Sequence, residues 1–159
     1  GMVDEAYKIR QELGDDTFIK IPTTKEGLKA IRILAAAGIH VTATAIYTQM
    51  QAFLAAKSGA QYVAPYINRI DNLGSDGVRT AKEIHDMFRN YGFKTEVLAA
   101  SFKNSRQVIT LCEYGIGATT ISPDVLELLI KNDSVTAALN VFRKDFEKVC
   151  GKGKTMLDC

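Results

Sequence analysis

The chain has 159 residues, 47% of them hydrophobic and 24% charged, a balance that makes it globular and long enough for one core but short for two. Its 20 basic and 18 acidic side chains are interspersed and leave a net charge of +2, which excludes any broad field for gripping nucleic acid or an anionic membrane. No apolar run approaches the ~20 residues that span a bilayer, and the first residues lack the apolar core of a signal peptide, so the expected setting is the cytoplasm.

In chain order, "VDEAYKIRQELG" reads as a helix ahead of the first strand candidate, "TFIKIP" (17–22). The next segment, "KEGLKAIRILAAAG", puts Leu28, Ile31 and Leu34 or Ala35 on one face, with Gly38 placed to end the helix in a left-handed cap. Strand "HVTATAI" (40–46) precedes helix "YTQMQAFLAAKSG", and "QYVAPYI" (61–67) precedes "SDGVRTAKEIHDMFRNYG". Strand "TEVLAAS" (95–101) leads to "NSRQVITLCEYG", and "GATTIS" (117–122) to "SPDVLELLIKN", where Ser122 is a candidate N-cap and Pro123 occupies the first helical position. A last helix, "SVTAALNVFRKDFEKVCG", completes a predicted single domain over 1–150, and the glycine-containing "GKGKTMLDC" (151–159) reads as a flexible tail. Cys112, Cys150 and Cys159 form an odd set without CxxC spacing or a nearby His cluster, which predicts free thiols, with Cys112 in a helix core.

Strands separated by helices run parallel, because a crossover must carry the chain back. That pattern predicts an α/β fold, either a doubly wound sheet or part of a (β/α)8 barrel. No GxGxxG or GxxxxGK[ST] loop follows any strand, which counts against a nucleotide-binding doubly wound sheet. Polar residues do recur near strand C-termini: Lys20, Thr44, Tyr66 with Arg69, and Ser101 with Lys103. Convergence of such residues on one mouth is the barrel arrangement. A barrel of this kind takes about 250 residues and five strands cannot close a ring of eight, so the expectation is a TIM-barrel type of which part is missing from this chain.

Lys20 interrupts an apolar strand. It is either an edge-strand charge facing solvent or an amine desolvated so that its neutral form can attack a carbonyl and form a Schiff base. Alternation places Phe18, Lys20 and Pro22 on one face and Ile19 with Ile21 on the other. Tyr66 is a buried core tyrosine or a general acid/base beside an iminium. Thr44 is a strand-former or a hydroxyl that positions a water. Arg69, Ser101 and Lys103, with the helix N-terminus after "SFKNS", form a group suited to a phosphate. His40 and His85 are read as structural.

The stretches "FIKIPTTKEGLKAI", "TATAIYTQMQAFLAAKSGAQYVAPYINRID" and "VLAASFKNSRQV" resemble the transaldolase family, specifically its small fructose-6-phosphate aldolase branch, in order and over nearly the whole chain. The resemblance implies a (β/α)8 class I aldolase that uses no metal or other cofactor. Lys20 then matches the Schiff-base lysine, Thr44 the threonine that helps to hold the catalytic water, and Tyr66 the acid/base tyrosine of the aldolase branch. Arg69, Ser101 and Lys103 match the phosphate-binding positions. Typical transaldolases carry phenylalanine where Tyr66 stands, which tilts the expectation towards free aldol chemistry.

The implied partners are fructose 6-phosphate, glyceraldehyde 3-phosphate and dihydroxyacetone, in a homo-oligomer whose last helix (134–149) reaches a neighbour. The family's opening strands, with their aspartate, "TTNPS"-like turn and Gln or Glu, are not matched here, and "GMVDEA" resembles the helix that follows them. The chain is therefore expected to hold the C-terminal five-eighths of a barrel plus its last helix. Two alternatives stay open: transaldolase proper, and an inactive truncated barrel that binds sugar phosphate or serves in an oligomer.

Overall fold

The computed structural model describes residues 1–159. The chain forms two compact units, residues 1–126 and residues 127–159. In the first, α1 (Met2–Leu13) precedes β1 (Ile19–Pro22), α2 (Lys25–Ala36), β2 (Val41–Ile46), α3 (Gln49–Lys57) and β3 (Tyr62–Pro65). There follow α4 (Ile67–Asn72), α5 (Gly77–Asn90), β4 (Glu96–Ala99), α6 (Ser105–Tyr114), β5 (Ala118–Thr119) and the start of α7 (Pro123–Ile130). The second unit holds the end of α7, then α8 (Asp133–Cys150) and a 3-10 turn at Met156–Asp158.

All five strands join one sheet in the order β1-β2-β3-β4-β5, and every neighbouring pair is parallel. This order decides between the two predicted architectures. A doubly wound sheet reverses its strand order at a switch point, whereas strands that always add beside their predecessor trace the wall of a (β/α)8 barrel. The fold is thus α/β of TIM-barrel type, with five successive strands of the ring.

Strand β1 follows the predicted alternation: Ile19 and Ile21 are buried while Lys20 and Pro22 are open. The register pairs Ile19 with Val41 and Ile21 with Ala43, and Ala43 pairs onward with Val63. These residues share the face covered by helices. Against them α2 buries Ala30, Ile31 and Leu34, and α5 buries Ala81, Ile84 and Phe88. Each fully buried Ile or Leu stabilises by roughly 1.5–3 kcal/mol relative to exposure, so this layer holds the sheet in place. On the opposite face, register sets Lys20 beside Thr42, Thr42 beside Tyr62, and Tyr62 beside Glu96.

Caps mark where helices start. Thr24 Oγ1 accepts from the Gly27 amide at 3.0 Å, Asp76 from Arg79 at 2.8 Å and Asn104 from Gln107 at 3.0 Å, each satisfying an otherwise orphan donor of a first turn. For α7, the Ser122 carbonyl accepts the first helical bond, from Leu126 at 3.0 Å.

Three expectations need correction. The strand predicted over 61–67 stops at Pro65, because the Ile67 amide turns to the Ala100 carbonyl (2.9 Å) and a six-residue helix, α4, begins. Cys112 is exposed on α6 rather than buried. Cys150 and Cys159 are disulfide-bonded, with Cα atoms 5.3 Å apart. Gly151 and Gly153 both adopt positive φ, a turn open to glycine without strain, and this brings the two cysteines together. No helix is long and apolar enough to cross a membrane.

Candidate active site

The sheet delivers the predicted residues to one end of its strands. Thr44 lies on β2 in register with Pro22, and its carbonyl accepts from both the amide and the hydroxyl of Thr23, at 2.9 and 3.0 Å. A bulge between Ala43 and Ile46 gives Ala45 a φ of +57°. Such a conformation is costly for a residue with a Cβ and collects at functional sites. Within the same bulge, the Thr44 Oγ1 meets the Tyr66 hydroxyl at 2.9 Å.

Tyr66 is fixed by its backbone as well. Its amide donates to the Ile46 carbonyl at 3.1 Å and the residue bridges to Ala100 on the other side. The Tyr47 ring stands edge-on to it, centroids 5.7 Å apart, and the Arg69 guanidinium lies over its face at 4.5 Å, within cation–π range. The Tyr47 hydroxyl beside Arg69 holds the guanidinium pKa above its ordinary value, with a smaller contribution from Tyr66.

Ser101 is the second non-glycine residue at positive φ, +63°. It lies where the chain leaves β4, and its carbonyl accepts from the Asn68 amide at 3.1 Å. Phe102 is then buried while Lys103 stays exposed. The left-handed turn at Ser101 therefore lets one residue anchor in the core and the next reach outwards.

A cleft of about 570 Å³ is lined by Lys20, Tyr66, Arg69, Ser101 and Lys103 together. Five of the six predicted residues share it, and Thr44 joins through its bond to Tyr66. Asn68, Asn72, Thr120 and Ser122 complete the polar wall. Three cations and no carboxylate line the cleft, an arrangement that favours an anion. Beside it, the Ser122 hydroxyl holds the Asp124 carboxyl below its usual pKa, with the charge of Lys103 a smaller cause. No group of three or more His, Cys, Asp or Glu side chains converges as a metal ion requires.

Lys20 is exposed on the open inner face of the sheet, as is Phe18 before it. The lysine's strand, β1, is an edge of the sheet and pairs on one side only, with β2. Tyr47, Asn68, Asn72 and Thr120 escaped the sequence reading. Tyr47 and Thr120 directly follow β2 and β5 and could have been found by the strand-end rule that located Lys103. Asn68 and Asn72 ride on the unpredicted α4.

A family model described as transaldolase/fructose-6-phosphate aldolase matches residues 1–156. The chain belongs to that family. Among its relatives, a "probable transaldolase" of Thermoplasma volcanium is 44% identical over 157 residues, covering 99% of this chain and 70% of the relative. One from a Hydrogenobaculum species is 42% identical over 152 residues, 96% of this chain and 70% of the relative. A third, from Nitrosopumilus maritimus, is 42% identical over 150 residues, 94% and 67% respectively. For a transaldolase/fructose-6-phosphate aldolase family member, the relatives' shared name agrees with the cleft: strand-end polar groups at the mouth of a barrel-type sheet. Membership implies sugar-phosphate substrates, in keeping with a cleft lined by cations.

Proposed function

We propose that this chain carries a Schiff-base site of class I aldolase type acting on sugar phosphates, of the fructose-6-phosphate aldolase kind. The observation that carries the proposal is the sharing of one cleft by Lys20, the Tyr66–Thr44 pair and the cations Arg69 and Lys103. Neutral Lys20 attacks the C2 ketone of a dihydroxyacetone unit, and loss of water gives an iminium. Tyr66 gives its proton to that leaving water, the iminium withdraws electrons as the bond between C3 and C4 breaks, and the C4 hydroxyl proton returns to the Tyr66 phenolate, directly or through a water held near Thr44. The resulting enamine takes a proton at C3, and hydrolysis frees dihydroxyacetone and Lys20. Arg69, Ser101 and Lys103 hold the phosphate of the aldehyde fragment, aided by the capped N-terminus of α6.

A second reading, transaldolase proper, draws on the relatives' printed name. In it the enamine adds to a second phosphorylated aldehyde instead of being protonated. The Tyr66 hydroxyl supports the aldolase reading, because release of free dihydroxyacetone needs a proton delivered to C3 of the enamine, a step that transfer omits. We also read the chain as part of a homo-oligomer: α8 exposes Leu139 and Phe142, side chains that would suit contact with a neighbour.

The test is borohydride trapping. Incubation of the full chain with dihydroxyacetone followed by reduction should add mass at Lys20, and Lys20→Met should abolish it. Labelling at another lysine, or none in folded protein, would overturn the mechanism in favour of a binding role.

A further inference from the structure

The two walls of the cleft that carry its outer cations come from different βα units. Arg69 lies on α4, and Lys103 lies on the loop between β4 and α6. Side chains on two separate βα units hold a fixed separation only if something braces those units together. Gln107, on the first turn of α6, lies behind both walls and is 6% exposed. Its Oε1 accepts from the Lys103 amide at 2.9 Å. Its Nε2 donates to Asp71 Oδ2 at 2.6 Å and to Asn68 Oδ1 at 3.3 Å, both on α4. Asp71 in turn accepts from the Gly77 amide at 2.7 Å, the first residue of α5. One buried amide thus joins the Lys103 backbone to the helix that bears Arg69 and, through Asp71, to the helix behind it.

We propose that Gln107 is a positioning residue for phosphate binding: by bridging the Lys103 amide and Asp71, it sets the spacing of the Arg69 and Lys103 walls to fit one phosphate group. The proposal rests on the phosphate-binding role given above to Arg69, Ser101 and Lys103. Gln107 touches no substrate; it acts through the backbone and through α4. The polarity of its amide is essential, since the Lys103 amide needs an acceptor and the Asp71 carboxylate a donor. A carboxylate at this position would satisfy the first and oppose the second.

The experiment measures the dissociation constant of the full chain for inorganic phosphate, followed by the amide NMR shifts of Asn68, Ser101 and Lys103. Gln107→Glu should weaken binding about tenfold, as should Gln107→Met, which keeps the length but has no polar end; loss of one hydrogen bond to a charged group is of that size. Combining Gln107→Glu with Asp71→Asn exchanges donor and acceptor across the same contact and should restore affinity to within about twofold of the parent. Borohydride trapping of dihydroxyacetone at Lys20 should stay unchanged in every Gln107 variant, because the brace lies on the phosphate side. If Gln107→Met binds phosphate as the parent does, or if the double exchange fails to restore what Gln107→Glu loses, the proposal is wrong. Arg69→Gln with Lys103→Met separates the two claims. Should that pair leave phosphate binding intact, the phosphate reading itself fails and the brace with it; should the pair abolish binding while Gln107 variants do not, only the brace fails.

Discussion

Tyr66 and Thr44, 22 positions apart in sequence, share a hydrogen bond of 2.9 Å between the phenol and the threonine Oγ1. Both side chains are half-buried, so water can replace either partner only in part, and the bond holds the phenol in one orientation. Thr44→Val keeps the shape of the side chain and removes the partner, at a cost of about 1 kcal/mol. We expect kcat for aldol cleavage to fall about fivefold to tenfold with trapping at Lys20 retained. In a Tyr66→Phe background the same change should add almost nothing, because the pair acts as one unit. Additive losses in steady-state kinetics would refute the pairing.

Tyr66→Phe removes the hydroxyl proposed as proton donor and keeps the ring that Arg69 covers. General acid/base groups contribute roughly 10²–10⁴-fold, so free aldol turnover should drop by at least about 10². Transfer to an aldehyde acceptor should drop less, since the enamine is then consumed by carbon–carbon bond formation. Equal losses in coupled assays of the two reactions would favour transaldolase proper.

Gly77 sits where α4 and α5 meet, and a Cβ there would lie 2.1 Å from the Ile67 carbonyl oxygen. The obstacle is backbone, so it cannot swing aside. Gly77→Ala is expected to cost about 3 kcal/mol by overpacking, read from the urea midpoint. Gly74→Ala is the control: its φ is +81° but the space beside it is open, and backbone strain alone should cost about 1 kcal/mol. A smaller loss at Gly77 than at Gly74 would show that the junction yields.

Burial, and then the hydrogen bond to Asp86, push the Tyr114 phenol from 10.0 up to about 12. The folded state therefore favours the neutral phenol. Its contribution to stability is complete below pH 10 and is lost as the pH rises towards 12. Phenolate absorbance should show a late component near pH 12 that disappears in Tyr114→Phe. Persistence of that component would assign it to another tyrosine.

How much of this was legible depends on the range of the interaction involved. The alternation of Ile19, Lys20 and Ile21 was readable because a strand repeats every two residues, and it gave the correct face for Lys20. Glycines at helix ends marked Gly38, Gly59, Gly92 and Gly115, all at positive φ. Helix α4 is too short for a 3.6-residue period to register, and its start depends on Ala100 and Ser101 from another unit. The choice between the two readings of Lys20 stayed open for the same reason: desolvation belongs to the surrounding walls, not to the strand that bears the lysine. The positive φ of Ala45 and Ser101 carries no sequence signal, since neither is glycine.

Those four glycine turns all precede strands, while Tyr66, Ser101 and Thr120 follow them. The turns that guide folding and the polar groups of the cleft thus lie at opposite ends of β3, β4 and β5. Recombination or selection that rewrites the outgoing loops to suit a new sugar can therefore leave the incoming turns, and the order in which the units assemble, untouched.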